Sequence, residues 1–270
     1  MQYKLLVLDI DGTVANTKKE ISEENVQAVI AAQKKGVKVV VASGRATPGV
    51  MPTAKKLKLD EYGGYILSFN GARIVNVKTG AVIYEKNLPD GAAQKIYAFA
   101  KKNKVNICTY NQQTVMTPNP QEKYVNMESH LLKMPLYQPQ NFLEEIPSNP
   151  VKFLLLGDGE KLALLENKAK EEIGEGLNIF RSEPYFLEVM PQNIDKAYSL
   201  NKLLSKLLIR REEMMACGDG YNDLSMIQFA GLGVAMQNAQ EAVKQAADVI
   251  TDHCDNHGVA KAIETYILNT

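Results

Sequence analysis

Only three cysteines, Cys108, Cys217 and Cys254, occur in 270 residues. They are odd in number and widely spaced, which argues against a disulfide framework or a zinc site and for a reducing compartment. A surplus of one charge is also missing: Lys plus Arg and Asp plus Glu both total 31. Without a basic excess, nonspecific binding to nucleic acid or to an anionic membrane is not expected. Long apolar runs are absent too. The N-terminal run meets acids by Asp9, which is too short for a signal peptide or a membrane span, and no later uncharged stretch is long enough. The three histidines, His130, His253 and His257, show no recognisable metal-ligand spacing. No internal repeat or low-complexity segment stands out. What is present is ordinary for a soluble cytoplasmic protein of one or two domains, with 45% apolar and 23% charged residues.

The apolar pattern predicts an α/β protein. Leu5 to Leu8 is a continuous apolar run, as in a strand buried on both faces of a parallel sheet. Ser22 reads as an N-cap, Val26, Val29 and Ile30 carry helical spacing, and Gly36 closes that helix. Val37 to Val41 and Tyr65 to Phe69 are further strands. The same style returns near the C-terminus, with a helix over Lys196 to Leu208 and strands over Met214 to Cys217 and Leu232 to Ala235. A helix is expected near Asn222, and others from Ala239 and near Val259. The middle differs. Lys78-Thr79-Gly80 reads as a hairpin turn between Arg73–Val77 and Ala81–Tyr84. Short strands and two helical stripes follow, and residues 118–150, rich in Pro, Asn and Gln, resist assignment. The expected architecture is a Rossmann-like parallel-sheet core with helices on both faces, made of residues 1–82 and 191–270. An α+β domain, residues 83–190, is inserted into it.

Polar residues fall at the ends of the predicted core strands. Asp9 and Asp11 follow the first, Ser43 the second, and Asp219 and Asp223 a later one. In open α/β sheets the ligand site lies beyond the carboxyl ends of the strands, so one crevice receives all of them. Crowded carboxylates repel: two unit charges about 4 Å apart cost roughly 4 kcal/mol at an effective dielectric near 20. A divalent cation relieves this, and an all-oxygen site suits a hard ion such as Mg²⁺. Singly, each residue has a plainer reading. Asp-Gly is a common turn dipeptide, Ser43 a cap or turn residue, and Arg45 and Lys196 solvated cations. Cys217 lies in an apolar strand and reads as a packed thiol.

Together these segments resemble the haloacid dehalogenase superfamily. Asp9-Ile10-Asp11-Gly12-Thr13 is similar to its first motif and Ala42-Ser43-Gly44-Arg45 to its second. Lys196 before a helix is similar to the third, and Gly218-Asp219-Gly220-Tyr221-Asn222-Asp223 to the fourth. Ser68-Phe69-Asn70-Gly71-Ala72 and Phe186-Leu187-Glu188-Val189 also fit, and the motif order resembles the Cof-type branch, with its large inserted cap. One departure is Lys196-Ala197, where the family often has Lys-Gly.

The resemblance implies a Mg²⁺-dependent phosphatase acting on small phosphorylated metabolites, sugar phosphates first. Asp9 would be the nucleophile that becomes phosphorylated, and Asp11 the general acid and base. Lys196 would offset charge on Asp9 and the phosphate. Ser43 and the Gly44 amide would hold phosphate oxygens, with Arg45, Asn70, Gly71 and Asn222 in support. Asp9, Asp219 and the Asp11 carbonyl would bind the metal, and Asp223 would support it directly or through water. Two alternatives stay open: a phosphomutase using the same nucleophile, and an aspartate-phosphorylated signalling or binding module. The large insert favours the hydrolase. Oligomeric state is not legible.

Overall fold

The computed structural model describes residues 3–269. The chain forms two compact units, one made of residues up to Tyr84 and from Asp195 on, the other of Glu85–Ile194.

In the first unit, eight strands make one sheet among the described residues. Their order is Val249–Ile250, Leu232–Ala235, Met214–Gly218, Leu5–Asp9, Lys38–Ala42, Tyr65–Ser68, Arg73–Asn76 and Val82–Glu85. The Leu5–Asp9 strand is central and runs parallel to both neighbours, pairing Leu5 with Met214 and with Lys38. Its apolar run is continuous because both faces are covered: Leu5, Leu6, Val7 and Leu8 are wholly buried. Each such side chain contributes about 1.5–3 kcal/mol through burial.

Only the hairpin end of this sheet turns antiparallel, where Tyr65 pairs with Asn76. Asn76 Oδ1 makes the next turn, between Arg73–Asn76 and Val82–Glu85, by accepting the backbone N–H groups of Lys78 and Thr79. The Glu23–Lys34 helix starts where expected, with Ser22 Oγ accepting from the Asn25 N–H. It packs with Gly258–Ile263, while Leu224–Phe229 packs with Lys196–Leu207 and Glu241–Ala246.

The second unit has its own sheet, ordered Leu177–Glu183, Phe186–Pro191, Phe153–Leu156, Asn106–Tyr110, Val115–Met116 and Leu136–Tyr137. The helices Ala92–Asn103 and Gly159–Ile173 pack together and cover one face, burying Ile96, Phe99 and Leu162 against Phe153, Leu155, Leu187 and Val189. Glu188, between Leu187 and Val189, therefore points to the other face. There Lys152 Nζ lies 2.8 Å from Glu188 Oε2, and Tyr110 Oη donates to Glu128 Oε1 at 2.7 Å, all four side chains being buried.

Several expectations need correction. The units part at Tyr84/Glu85 and Ile194/Asp195, not at 82/83 and 190/191. Val82–Glu85 is an edge strand of the first sheet, and Pro191 still pairs with Leu177 in the second. The strand read as Tyr65 to Phe69 stops at Ser68, because Phe69 and Asn70 turn left-handed (φ 53° and 51°) into a short 3₁₀ turn. Near Asn222 the chain forms a 3₁₀ turn, Tyr221–Asp223, before the α-helix begins at Leu224. The Thr47–Lys56 helix and the Leu177–Glu183 strand were not anticipated. Within 118–150 the chain forms a helix, Lys123–Leu132, started by Glu122 accepting from the Tyr124 and Val125 N–H groups.

Candidate active site

Parallel register brings the motif residues to one edge of the first sheet. Asp9 is level with Ala42, and Leu8 with Cys217, so Asp9, Ser43 and Asp219 leave their strands at the same carboxyl end. Lys196 joins them from the first turn of its helix, which Asp195 caps by accepting the Tyr198 N–H at 2.7 Å.

The Lys196 side chain is wholly buried. Its ammonium reaches Asp9 Oδ1 at 2.6 Å, Asp223 Oδ1 at 2.5 Å and the Ala42 carbonyl at 3.3 Å, which uses all three of its donors. The second oxygen of Asp223 accepts the Asp219 N–H at 3.0 Å and the Gly220 N–H at 2.9 Å. Asp223 thus ties the lysine to the loop that carries Asp219. Asp219 Oδ1 in turn accepts from Thr13 Oγ1 at 2.7 Å. Gly12 allows this approach: its φ is +81°, and a Cβ there would collide with the Asp219 carboxylate.

Negative charge is in excess here. One oxygen each of Asp9, Asp219 and Asp223 lies within 4.8 Å of the others, against a single lysine. Burial, then the Asp223 charge, pushes the Asp9 carboxyl well above its ordinary range, although Lys196 opposes this. Asp219 is pushed up to about 6, mainly by burial, with the Thr13 hydrogen bond working against the rise. Lys196 is held more firmly protonated than usual. Burial opposes this, but the charges of Asp223 and Asp9 outweigh it. An all-carboxylate set carrying surplus charge fits a hard divalent cation. Asp9 and Asp219 are the better-placed ligands, because both oxygens of Asp223 already accept hydrogen bonds.

Asp11 behaves differently from Asp9. Its carboxylate is gripped by Arg45, with Nη2 2.7 Å from Oδ1 and Nε 3.1 Å from Oδ2, and by Lys19 Nζ at 2.9 Å from Oδ1. Burial raises this carboxyl, but Arg45 and Lys19 together bring it below the usual carboxylate range. The same sequence type, two residues on, therefore has the opposite electrostatic setting.

The remaining predicted residues form the adjoining segment. Ser43 is nearly buried, its N–H donating to the Leu67 carbonyl at 2.8 Å and its carbonyl accepting from Asn70 at 3.0 Å. Ser43 Oγ accepts the Arg45 N–H at 3.2 Å. Gly44 lies against the Asn70 amide, where a Cβ would stand 3.1 Å from both terminal atoms. Asn222 Nδ2 donates to Asn70 Oδ1 at 3.3 Å, and the Gly71 carbonyl accepts from Ser199 Oγ at 2.5 Å.

Three site residues escaped the sequence reading. Thr13 was visible only as the last letter of a motif. Lys19 sits in an unremarkable polar stretch. Asn238 donates to the Gly12 carbonyl at 2.8 Å and accepts the Cys254 N–H at 2.9 Å, linking segments with no common sequence signal. His253, Cys254 and Asp255 also bring ligand-type atoms within 4.8 Å, a grouping not expected from histidine spacing. There, however, His253 Nδ1 accepts the Asp255 N–H at 3.1 Å and Asp255 Oδ1 accepts from Thr17, so these atoms cap a turn. Among the described residues no helix is long and apolar enough to cross a membrane.

A family model for haloacid dehalogenase-like hydrolases matches residues 6–263. The 5-amino-6-(5-phospho-D-ribitylamino)uracil phosphatase YcsE of Bacillus subtilis is 33% identical over 270 residues, covering 99% of this chain and 97% of its own. The crystal structure of a haloacid dehalogenase-like hydrolase from Bacteroides thetaiotaomicron is 48% identical, with a TM-score of 0.94, and covers 98% of this chain and 99% of its own. The subclass IIB sugar phosphatase BT4131 is 27% identical, with a TM-score of 0.79, over 97% of this chain and 98% of its own. With the family model spanning nearly the whole chain and phosphatases among these relatives, the chain belongs to the haloacid dehalogenase-like hydrolases and is a phosphatase of that family.

Proposed function

We propose that the enzyme hydrolyses phosphate monoesters of small metabolites in two displacements at Asp9, with Mg²⁺ as cofactor. The observation that carries this reading is the Lys196 ammonium 2.6 Å from Asp9 Oδ1 in a buried site. Lys196 grips one oxygen of Asp9, so attack on phosphorus falls to the other. Asp9, Asp219 and the Asp11 carbonyl would hold the ion, with Asp223 in support. When bound, the ion supplies positive charge where the transferring phosphoryl group concentrates negative charge.

In the first displacement Asp9 Oδ2 bonds to phosphorus and the ester P–O bond breaks. The departing oxygen takes a proton from Asp11, whose carboxylate can carry one only once the arriving phosphate draws the Arg45 cation away from it. In the second, water attacks phosphorus and gives a proton to Asp11. The acyl-phosphate P–O bond breaks, which releases inorganic phosphate and restores the Asp9 carboxylate. Ser43, the Gly44 amide and Arg45 hold phosphate oxygens, and Asn70, Gly71 and Asn222 fix that segment. Sugar or polyol phosphates are the favoured substrates. The names of two relatives, a sugar phosphatase and a phosphatase of a phosphoribityl compound, support this. The inserted unit is assigned the choice among them.

The test is rapid quenching during turnover of 4-nitrophenyl phosphate, then mass spectrometry of the peptide containing residue 9. Phosphate on Asp9 is expected, and none in Asp9→Asn. A phosphorylated residue elsewhere would overturn the reading.

A further inference from the structure

Asn238 lies outside every motif segment, yet its side chain reaches a loop of the site. The strand Leu232–Ala235 ends level with the Asp219 strand, Ala235 pairing with Gly218, and residues 236–240 turn from its carboxyl end into the Glu241–Ala246 helix. The Ala239 N–H donates to the Met236 carbonyl at 2.9 Å and closes that turn. Asn238 Nδ2 donates to the Gly12 carbonyl at 2.8 Å, and the Gln240 N–H donates to the Asp219 carbonyl at 2.9 Å. One short turn therefore grips both the Asp11–Thr13 loop and the Asp219 loop. Those two loops also touch each other, through Thr13 Oγ1 and the close approach of Gly12 to the Asp219 carboxylate.

The Asn238 amide has one satisfied orientation. Its Oδ1 accepts the Cys254 N–H at 2.9 Å, so exchanging oxygen and nitrogen would set donor against donor there and carbonyl against carbonyl at Gly12. The donor is thus fixed on Gly12. That residue is left-handed, with φ +81°, and a glycine by itself leaves its peptides free to swing. The Gly12 and Asp11 carbonyls belong to consecutive planar peptides that share the Gly12 Cα, so holding one limits where the other points.

We propose that Asn238 is a positioning residue for the divalent cation: by holding the Gly12 peptide it sets the spacing between the Asp11 carbonyl and the Asp219 carboxylate. This rests on the reading of those two groups as ligands. Asn238 carries no charge, so it acts on a cation through geometry. Mg²⁺ demands near-ideal octahedral coordination, whereas Ca²⁺ accepts longer and less regular arrangements. A misplaced ligand should therefore cost Mg²⁺ more than Ca²⁺.

The test is isothermal titration of the substrate-free protein with MgCl₂ and, separately, with CaCl₂. In Asn238→Ala the Kd for Mg²⁺ should rise about 10-fold, as is usual for a residue that orients a ligand, and the Kd for Ca²⁺ only about 2-fold. Asn238→Asp keeps the acceptor for Cys254 but cannot donate to Gly12. Its added negative charge acts alike on two divalent ions, so the preference for Mg²⁺ over Ca²⁺ should fall in this variant too. It carries the test alone if Asn238→Ala does not fold. Equal loss of both ions, as from a general loosening of the loop, or no loss, overturns the proposal. Asp219→Ala should bind neither ion. If it binds Mg²⁺ as the wild type does, the metal reading fails and the proposal fails with it. If Asp219→Ala loses the ion while the Asn238 variants keep the wild-type preference, only the role of Asn238 is lost.

Discussion

Lys196 Nζ and Asp223 Oδ1 meet at 2.5 Å with both side chains fully buried, 27 residues apart in sequence. A buried ion pair is held by its geometry, because each charge has lost its water. Lys196→Met would leave Asp9 and Asp223 without their common cation. Urea unfolding should show a loss of about 3–5 kcal/mol, the usual result of removing one partner of a buried pair. Turnover should be abolished in parallel. A variant as stable as the parent protein would show that the carboxylates are relieved in another way.

Metal dependence should follow the carboxylates and not the phosphate-holding hydroxyl. Chelation should abolish hydrolysis of 4-nitrophenyl phosphate, and added Mg²⁺ should restore it. Asp219→Ala should raise the Mg²⁺ concentration needed for half-activity far more than Ser43→Ala, whose defect should appear in KM for substrate. Full activity in chelator, with elemental analysis finding no metal, would contradict this.

Without metal, Asp219 should make stability fall as pH rises. Its carboxyl titrates near 3.8 ordinarily and at about 6 in the fold, so the folded state binds this proton more tightly than the unfolded chain. Its stabilising contribution is complete below about pH 3.8 and lost as pH rises through about 6. Asp219→Asn removes the titration. The urea midpoint of the metal-free wild type should therefore drop relative to Asp219→Asn across that window. A constant difference at every pH would mean that Asp219 titrates normally.

The second unit offers a separate test at Lys152 and Glu188, 2.8 Å apart and buried. Lys152→Met strands the Glu188 carboxylate, whereas Lys152→Met with Glu188→Gln removes both charges. The single variant should be the less stable of the two by urea unfolding. The reverse order would show that the pair is not coupled.

Much of the core could be read from the chain itself. Continuous apolar runs such as Leu5 to Leu8 fit only strands covered on both faces, and polar residues just past their ends mark the edge where a parallel sheet binds ligands. Ser22 could be recognised as a cap because capping is local. Local signals failed elsewhere for equally physical reasons. Leu177–Glu183 buries Leu177 and Ile179 but exposes its charged end, so its apolar pattern is too short to announce a strand. Thr47–Lys56 opens with Pro48, which suits a first turn, but it has no side-chain cap and carries Pro52 in its interior, so its local signals conflict and it depends on packing.

The sequence by itself determined which residue types were available for the chemistry and on which strand ends they stand. Only the tertiary structure decided which atoms meet. Asp9 and Asp11 are the same residue type two positions apart, yet one faces a lysine 187 residues away and the other an arginine 34 residues away. That difference arises from sheet register and from the direction in which each side chain leaves the chain, because a charge responds to whatever lies within a few ångströms and not to its neighbours in sequence.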